Sequence, residues 1–229
     1  MRRIVFDIET CAYPFESLAE NQREYLLRYA DKEPDPEKRQ MMIDDAVRYT
    51  SLYPYTSKCI VIGIYDVEKG KSYVYYESEK KEEWKSEDEK VYYKGLSEKE
   101  MLESFWRVAK QVDQFITFNG RNFDIPFIMM RSAMLGVKVS KNLMGYRYGD
   151  EHIDLLEQFT FYGLTRKFNL DFYCQSFGIE SPKSKDISGM EVKNLYEAGR
   201  IKDIAVYCSK DIYATYRLYQ IWNEYLNLK

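Results

Sequence analysis

The chain has 229 residues, 45% of them apolar and 16% aromatic, and 34 Lys and Arg against 37 Asp and Glu leave a net charge of −3. That length suits a single domain over residues 1–229 with enough apolar material for a core. The near-balanced charge argues against a general polyanion-coating protein, and the apolar runs are far too short to span a membrane.

Residues 4–9 read as a first strand, Ile4 to Glu9, interrupted by two carboxylates at Asp7 and Glu9. Residues 12–57 read as a helical insertion. Phe15, Leu18, Ala19, Leu26 and Tyr29 make one apolar face, Met42, Ile43, Ala46 and Val47 make another, and Pro34 and Pro36 separate the two helices. Cys59 to Val67 and Ser72 to Glu77 predict a hairpin joined through Glu68-Lys69-Gly70-Lys71. The charge-dense run from Glu79 to Lys90 reads as a solvated loop. Ser97-Glu98-Lys99-Glu100 is a capping box flanked by Leu96 and Met101, so a helix follows that buries Met101, Leu102, Phe105, Val108 and Ala109. A fourth strand, Gln114 to Phe118, ends in a turn at Asn119-Gly120. Pro126 then falls in the first turn of a helix, where its missing N–H does no harm. A short fifth strand spans His152 to Leu155. From Tyr162 the chain is expected to be mostly helical, ending in a long segment from Ile201 to Leu226. The order predicts an α/β fold: a mixed five-stranded sheet with helices on both faces.

The cysteines, Cys11, Cys59, Cys174 and Cys208, lack paired or metal-type spacing. They read as free thiols in a reducing compartment. Arg2, Arg3 and Asp7 interrupt any secretory signal, so a cytoplasmic protein is expected. The 22 tyrosines suit half-buried faces, and a share of them could serve as stacking surface.

Three groups of residues carry chemistry. Alternate residues of a strand share a face, so Asp7 and Glu9 point together, and an acid pair on a core strand needs a cation such as a divalent metal. The competing reading ends the strand at Asp7 and leaves Glu9 in a solvated turn. Asp124 follows the fourth strand at a helix start, where an Asp alone is most often a cap. Its neighbours Asn119, Asn122 and Phe123 suit base stacking and polar contacts to a nucleotide. Tyr207 and Asp211 lie one turn apart on one helix face, an arrangement that an ordinary amphipathic helix also gives.

Taken in order, Phe6-Asp7-Ile8-Glu9-Thr10, Asn119-x-x-Asn122-Phe123-Asp124 and Tyr207-x3-Asp211 resemble the motifs of the DEDD superfamily of 3′–5′ exonucleases, whose fold is ribonuclease H-like. The resemblance points in particular to the exonuclease domains of family B DNA polymerases and to stand-alone proteins like them. It covers most of the chain outside residues 12–57, and Ser188-Gly189-Met190 through Gly199-Arg200-Ile201 is similar to the approach to the third motif. The histidine subclass needs a His five residues before the last Asp; that position is Val206, so Tyr207 implies the tyrosine subclass.

The resemblance implies two divalent ions, Mg²⁺ or Mn²⁺, held by Asp7, Glu9, Asp124 and Asp211. Asp7 would bridge both, Glu9 and Asp211 would complete the site of the attacking water, Asp124 would serve the second ion, and Tyr207 would orient the water. Thr10, Asn119, Asn122 and Phe123 are implied substrate contacts. Asp154 is expected to support local structure, and His152 to be a polar strand-edge residue. Arg166, Lys167, Lys183 and Lys185 either track a phosphate backbone or are solvated surface. The expected activity is removal of nucleotides from the 3′ end of single-stranded or frayed DNA by a free-standing enzyme with no membrane partner. A 3′–5′ exoribonuclease and a non-catalytic nucleic-acid-binding module are the alternatives.

Overall fold

The first strand, β1 (Arg3–Ala12), lies inside the sheet with a neighbour on each side, in a computed structural model that describes residues 1–181 and 191–227. It pairs antiparallel with β2 (Ser57–Asp66) and parallel with β6 (Gln114–Thr117). Beyond β2 come β3 (Lys71–Glu77), β5 (Val91–Leu96) and β4 (Glu83–Lys85); beyond β6 comes β7 (His152–Asp154). The order is β4-β5-β3-β2-β1-β6-β7, seven strands among the described residues rather than the expected five.

The two additional strands fall in and just after the charge-dense run. Charge there hides a short pairing in which one ring does the packing: Trp84 stacks on Tyr93 with centroids 3.6 Å apart and planes at 6°. Val91-Tyr92-Tyr93 carries ordinary strand propensity, but it abuts the acidic stretch.

Both faces of β1 are covered. Ile4, Phe6 and Ile8 pack with α3 (Glu98–Ala109) and α4 (Asp124–Met134), while Val5 and β2 residues pack under the long α8 (Ile201–Tyr225). Ser97 and Glu100 form the capping box of α3, with Ser97 N–H donating to Glu100 Oε2 at 3.0 Å. Met101, Leu102, Phe105 and Ala109 are buried as expected; Val108 is only half-buried and Trp106 is buried instead.

The insertion forms α1 (Glu20–Leu27) and α2 (Pro36–Tyr49), and Asp35 caps α2 by accepting the Glu37 N–H at 2.9 Å. Neither helix buries a residue, and they pack on each other and on the short turns beside them. Beyond Tyr162 the described residues are mostly helical, as expected. After α5 (Leu155–Phe159) the chain runs irregularly to α6 (Leu170–Ser176), then α7 (Val192–Glu197) and α8. Among the described residues no helix is long and apolar enough to cross a membrane, and all four cysteines are free and buried.

Candidate metal centre

β1 is packed on both faces, so the acid pair is largely withdrawn from water, Asp7 half-buried and Glu9 buried. Asp7 and Glu9 lie on the side beneath α8, and Glu9 is only 9% exposed. Opposite Asp7 in the β1–β2 register is Gly63, in the apolar run Ile60-Val61-Ile62-Gly63-Ile64. A Cβ there would lie 2.7 Å from Cys208 Sγ and 3.2 Å from Ile212 Cγ2. Gly63 therefore sets how closely α8 approaches the sheet. That approach brings Tyr207, Cys208 and Asp211, all buried, over the strand acids. Cys208 Sγ lies 3.9 Å from Asp7 Oδ2. The ligand atoms of Asp7, Glu9 and Cys208 fall within 4.8 Å of one another.

Gly63→Ala is expected to destabilise the fold by about 1–3 kcal/mol through overpacking. Most of that loss should return in the Gly63→Ala/Cys208→Ala double variant, since the sulfur is the nearest atom met. Denaturant unfolding of the four proteins of that cycle is the measurement.

The third acid arrives where the sheet parts. β6 stays paired with β1 only as far as Val5 and Ile116, which leaves the farther edge of β1 with backbone groups to satisfy. Asp124, at the start of α4 and 2% exposed, accepts the Ile8 N–H on Oδ1 at 3.0 Å. It is thus bound to the amide between Asp7 and Glu9. The turn that aims it needs unusual backbone. Asn119 sits at φ +65°, a region that Asn tolerates better than most residues. A Cβ on Gly120 would come within 2.5 Å of Thr117. Asp154, 1% exposed, holds this turn by accepting the N–H groups of Asn119 and Arg121, both at 2.9 Å, and of Leu156 at 3.1 Å. Its carboxylate is committed to backbone.

The electrostatics are those of crowded, desolvated acids. Burial pushes Asp7 well above the usual carboxylate range, and Asp124, Glu9 and Asp211 push it further. Glu9 is raised by burial and then by Asp211 and Asp124. Asp124 is pushed up to about 7 by burial, against the opposing pull of backbone N–H groups including that of Ile8. The Tyr207 hydroxyl is held firmly protonated by burial, by the charges of Asp211 and Glu9, and by its hydrogen bond to Asp211. Burial and the same acids hold the Cys208 thiol well above its usual range. No lysine or arginine among the described residues is a dominant influence on these acids. The donor set is carboxylate oxygen, which fits a hard divalent cation.

Asp7, Glu9, Asp124, Tyr207 and Asp211 therefore converge, with the four acids within electrostatic reach of one another. The other expected contacts are more varied. Thr10 follows a register shift in β1, and its hydroxyl donates to the Ser51 carbonyl at 2.7 Å, tying the insertion to the acid strand. Asn122 is exposed and donates to Asn119 Oδ1 at 3.0 Å; Phe123 is half-buried, its ring 5.7 Å from that of Phe127. His152 lies on the edge strand β7, as expected, but is buried: it hydrogen-bonds Thr117 Oγ1 at 2.8 Å, and burial with the nearby Arg121 lowers it to about 3. Arg166 and Lys167 are exposed; Lys183, Lys185 and Ser188-Gly189-Met190 lie outside the described residues. Sequence reasoning missed Gly63 and Cys208. A lone glycine inside an apolar strand is the signal that marks the first.

The mixed sheet with helices on both faces is similar to part of the family B DNA polymerase from the hyperthermophilic archaeon Pyrobaculum calidifontis, with a TM-score of 0.61. That match covers 97% of this chain and 24% of the polymerase at 15% identity, so it is a likeness of fold. Sequence relatives include the DNA polymerase of Desulfurococcus sp. (strain Tok), 32% identical over 156 residues, 59% of this chain and 19% of that protein. The DNA polymerase of Pyrococcus glycovorans is 29% identical over 168 residues, 64% of this chain and 21% of that protein. The chain spans about a fifth of the length of these curated relatives. The family described as "Predicted 3'-5' exonuclease related to the exonuclease domain of PolB" matches residues 76–225, more than half of the chain. The chain belongs to this family. Asp124, Tyr207 and Asp211 lie within the matched residues, and β1 with Asp7 and Glu9 precedes them.

Proposed function

We propose that this protein is a metal-dependent 3′–5′ exonuclease of the tyrosine subclass. It would remove nucleotides from the 3′ end of single-stranded or frayed DNA. One observation carries the reading: four carboxylates of β1, α4 and α8 are packed together, Glu9, Asp124 and Asp211 buried and Asp7 half-buried, and the crowding disfavours the charged forms of Asp7, Glu9 and Asp124. Structural acids are normally paired with cations on the chain, as Glu98 is with Arg131 at 2.7 Å.

Asp7, Glu9, Asp124 and Asp211 would hold two divalent ions, Mg²⁺ or Mn²⁺. When bound, these supply charge relief at the phosphate, activation of water and stabilisation of the leaving 3′-oxygen. The chain's own groups do the positioning. The Ile8 amide holds Asp124 against β1. Tyr207, protonated and hydrogen-bonded to Asp211, orients the attacking water rather than taking its proton. Asn122 and the exposed part of Phe123, on the turn held by Asp154, are set to meet the terminal nucleotide.

The test is hydrolysis of a 5′-labelled DNA strand and its RNA counterpart, side by side, with Mg²⁺ or Mn²⁺. Mononucleotide release with stepwise shortening of the DNA is expected. No activity with either ion overturns the enzyme reading, and preference for the RNA replaces DNA exonuclease with exoribonuclease. Tyr207→Phe is expected to lower kcat by about tenfold to a hundredfold with little change in KM, as loss of one orienting hydrogen bond would. Steady-state kinetics on the same strand would measure it.

A further inference from the structure

The helical insertion carries a groove that the acid site does not use. Its volume is ≈ 700 Å³, and Tyr25, Tyr29, Tyr49, Tyr53 and Tyr55 line it. These rings are 44–65% exposed, although neither insertion helix buries a residue in any core. Among the described residues Arg28 is the one fully charged side chain in the lining, its guanidinium 3.7 Å from the Tyr25 ring centroid and 4.5 Å from that of Tyr29. No carboxylate among the described residues lines the groove, in a chain whose net charge is −3.

The groove is fastened to the acid site. Thr10, next to Glu9, donates to the Ser51 carbonyl at 2.7 Å, and the Tyr13 N–H donates to the Thr56 carbonyl at 3.0 Å. Arg131, 3% exposed, donates from Nη1 to the Pro54 carbonyl at 3.1 Å, between Tyr53 and Tyr55. Arg131 lies two turns along α4 from Asp124, about 10 Å at 1.5 Å per residue. A strand with its 3′ end at the acids could reach the groove within a few nucleotides.

We propose that this groove is a stacking track for unpaired bases of single-stranded nucleic acid, upstream of the nucleotide held at the acid site. Tyrosine faces offer sequence-tolerant stacking, and Arg28 offers a cation to the phosphates. The direction of the strand rests on the exonuclease reading; the binding does not.

The test uses the whole protein in EDTA, so that nothing is cleaved, and the fluorescence anisotropy of a 5′-fluorescein oligothymidylate of about 12 nucleotides. Tyr25→Ala/Tyr29→Ala is expected to weaken binding about tenfold or more, whereas Tyr25→Phe/Tyr29→Phe keeps wild-type affinity because the rings remain. In Mn²⁺, hydrolysis of the nitrophenyl ester of thymidine monophosphate, which is too short to reach the groove, is expected to be equal in all three proteins. Unchanged oligonucleotide affinity in the alanine variant overturns the proposal. So does a change from dimer to monomer in sedimentation with affinity unchanged, which would make the groove an interface between copies. Failure of the exonuclease reading appears separately, as wild-type protein that binds the strand but hydrolyses neither strand nor ester.

Discussion

Asp7→Asn is expected to abolish exonuclease activity and, at the same time, to make the metal-free protein more stable. The activity loss should reach about 10³-fold or more, ~4 kcal/mol of transition-state stabilisation, since the variant loses a charged oxygen ligand at the centre of the site. The stability gain follows from the same residue's surroundings. Asp7 is half-buried, desolvated by its surroundings and repelled by Asp124, Glu9 and Asp211. A neutral side chain of the same shape removes that cost, which is about 1–3 kcal/mol for groups of this kind. In a chain of this size each kcal/mol moves Tm by about 2–4 °C. The two measurements are nucleotide release from a labelled strand and thermal unfolding in EDTA near pH 8. Lower Tm together with lost activity would mean that Asp7 is a structural acid, and residual wild-type activity would mean that another nuclease is present in the preparation.

A second large effect is expected when pH and metal are varied together. In the unfolded chain these carboxyls titrate near 4. In the folded protein Asp124 titrates at about 7, and Asp7 and Glu9 are well above their usual range. Between those values the folded state binds more protons than the unfolded state, so stability falls as pH rises through the window. His152 acts in the opposite sense. Its folded value is about 3, so it adds stability as pH rises from there to its unfolded value near 6.5, and nothing above that. The fall is therefore cleanest above about pH 6.5, where His152 is neutral in both states. In EDTA, Tm is expected to drop between pH 6.5 and 8. Mg²⁺ or Mn²⁺ should restore it at pH 8 and have less effect at pH 5, because protons and cations compete for the same oxygens. Differential scanning calorimetry across that range decides it. A Tm that rises toward pH 8 in EDTA, or one that neither ion moves at pH 8, would show that these acids are not a cation site.

Much of the sheet could be read along the chain. β1, β2, β3 and β6 each carry a run of β-branched and aromatic residues long enough to stand out, and α3 announces itself through Ser97 and Glu100. β4 and β5 were hidden for a local reason. In Glu83-Trp84-Lys85 one inward ring suffices for pairing, and its neighbours are charged because they face water. The insertion was legible as two helices through Asp35, Pro36 and their apolar spacing, but nothing in that spacing told that the helices would pack on each other and leave their tyrosines open.

The sequence by itself determined the chemical inventory and its order: two acids on one strand face, an Asp after a later strand, and Tyr and Asp one turn apart on a late helix. Spacing along one strand or one helix suffices for that, because the local period decides which side chains share a face. The tertiary structure alone decided that these pieces meet. Asp124 reaches β1 only because β6 diverges after Ile116 and leaves the Ile8 amide to be satisfied. Asp211 reaches it only because Gly63 lets α8 settle onto the sheet. Both depend on close approach between segments far apart in the chain. Such approaches are governed by volume and unpaired backbone groups, which no local pattern of residues encodes.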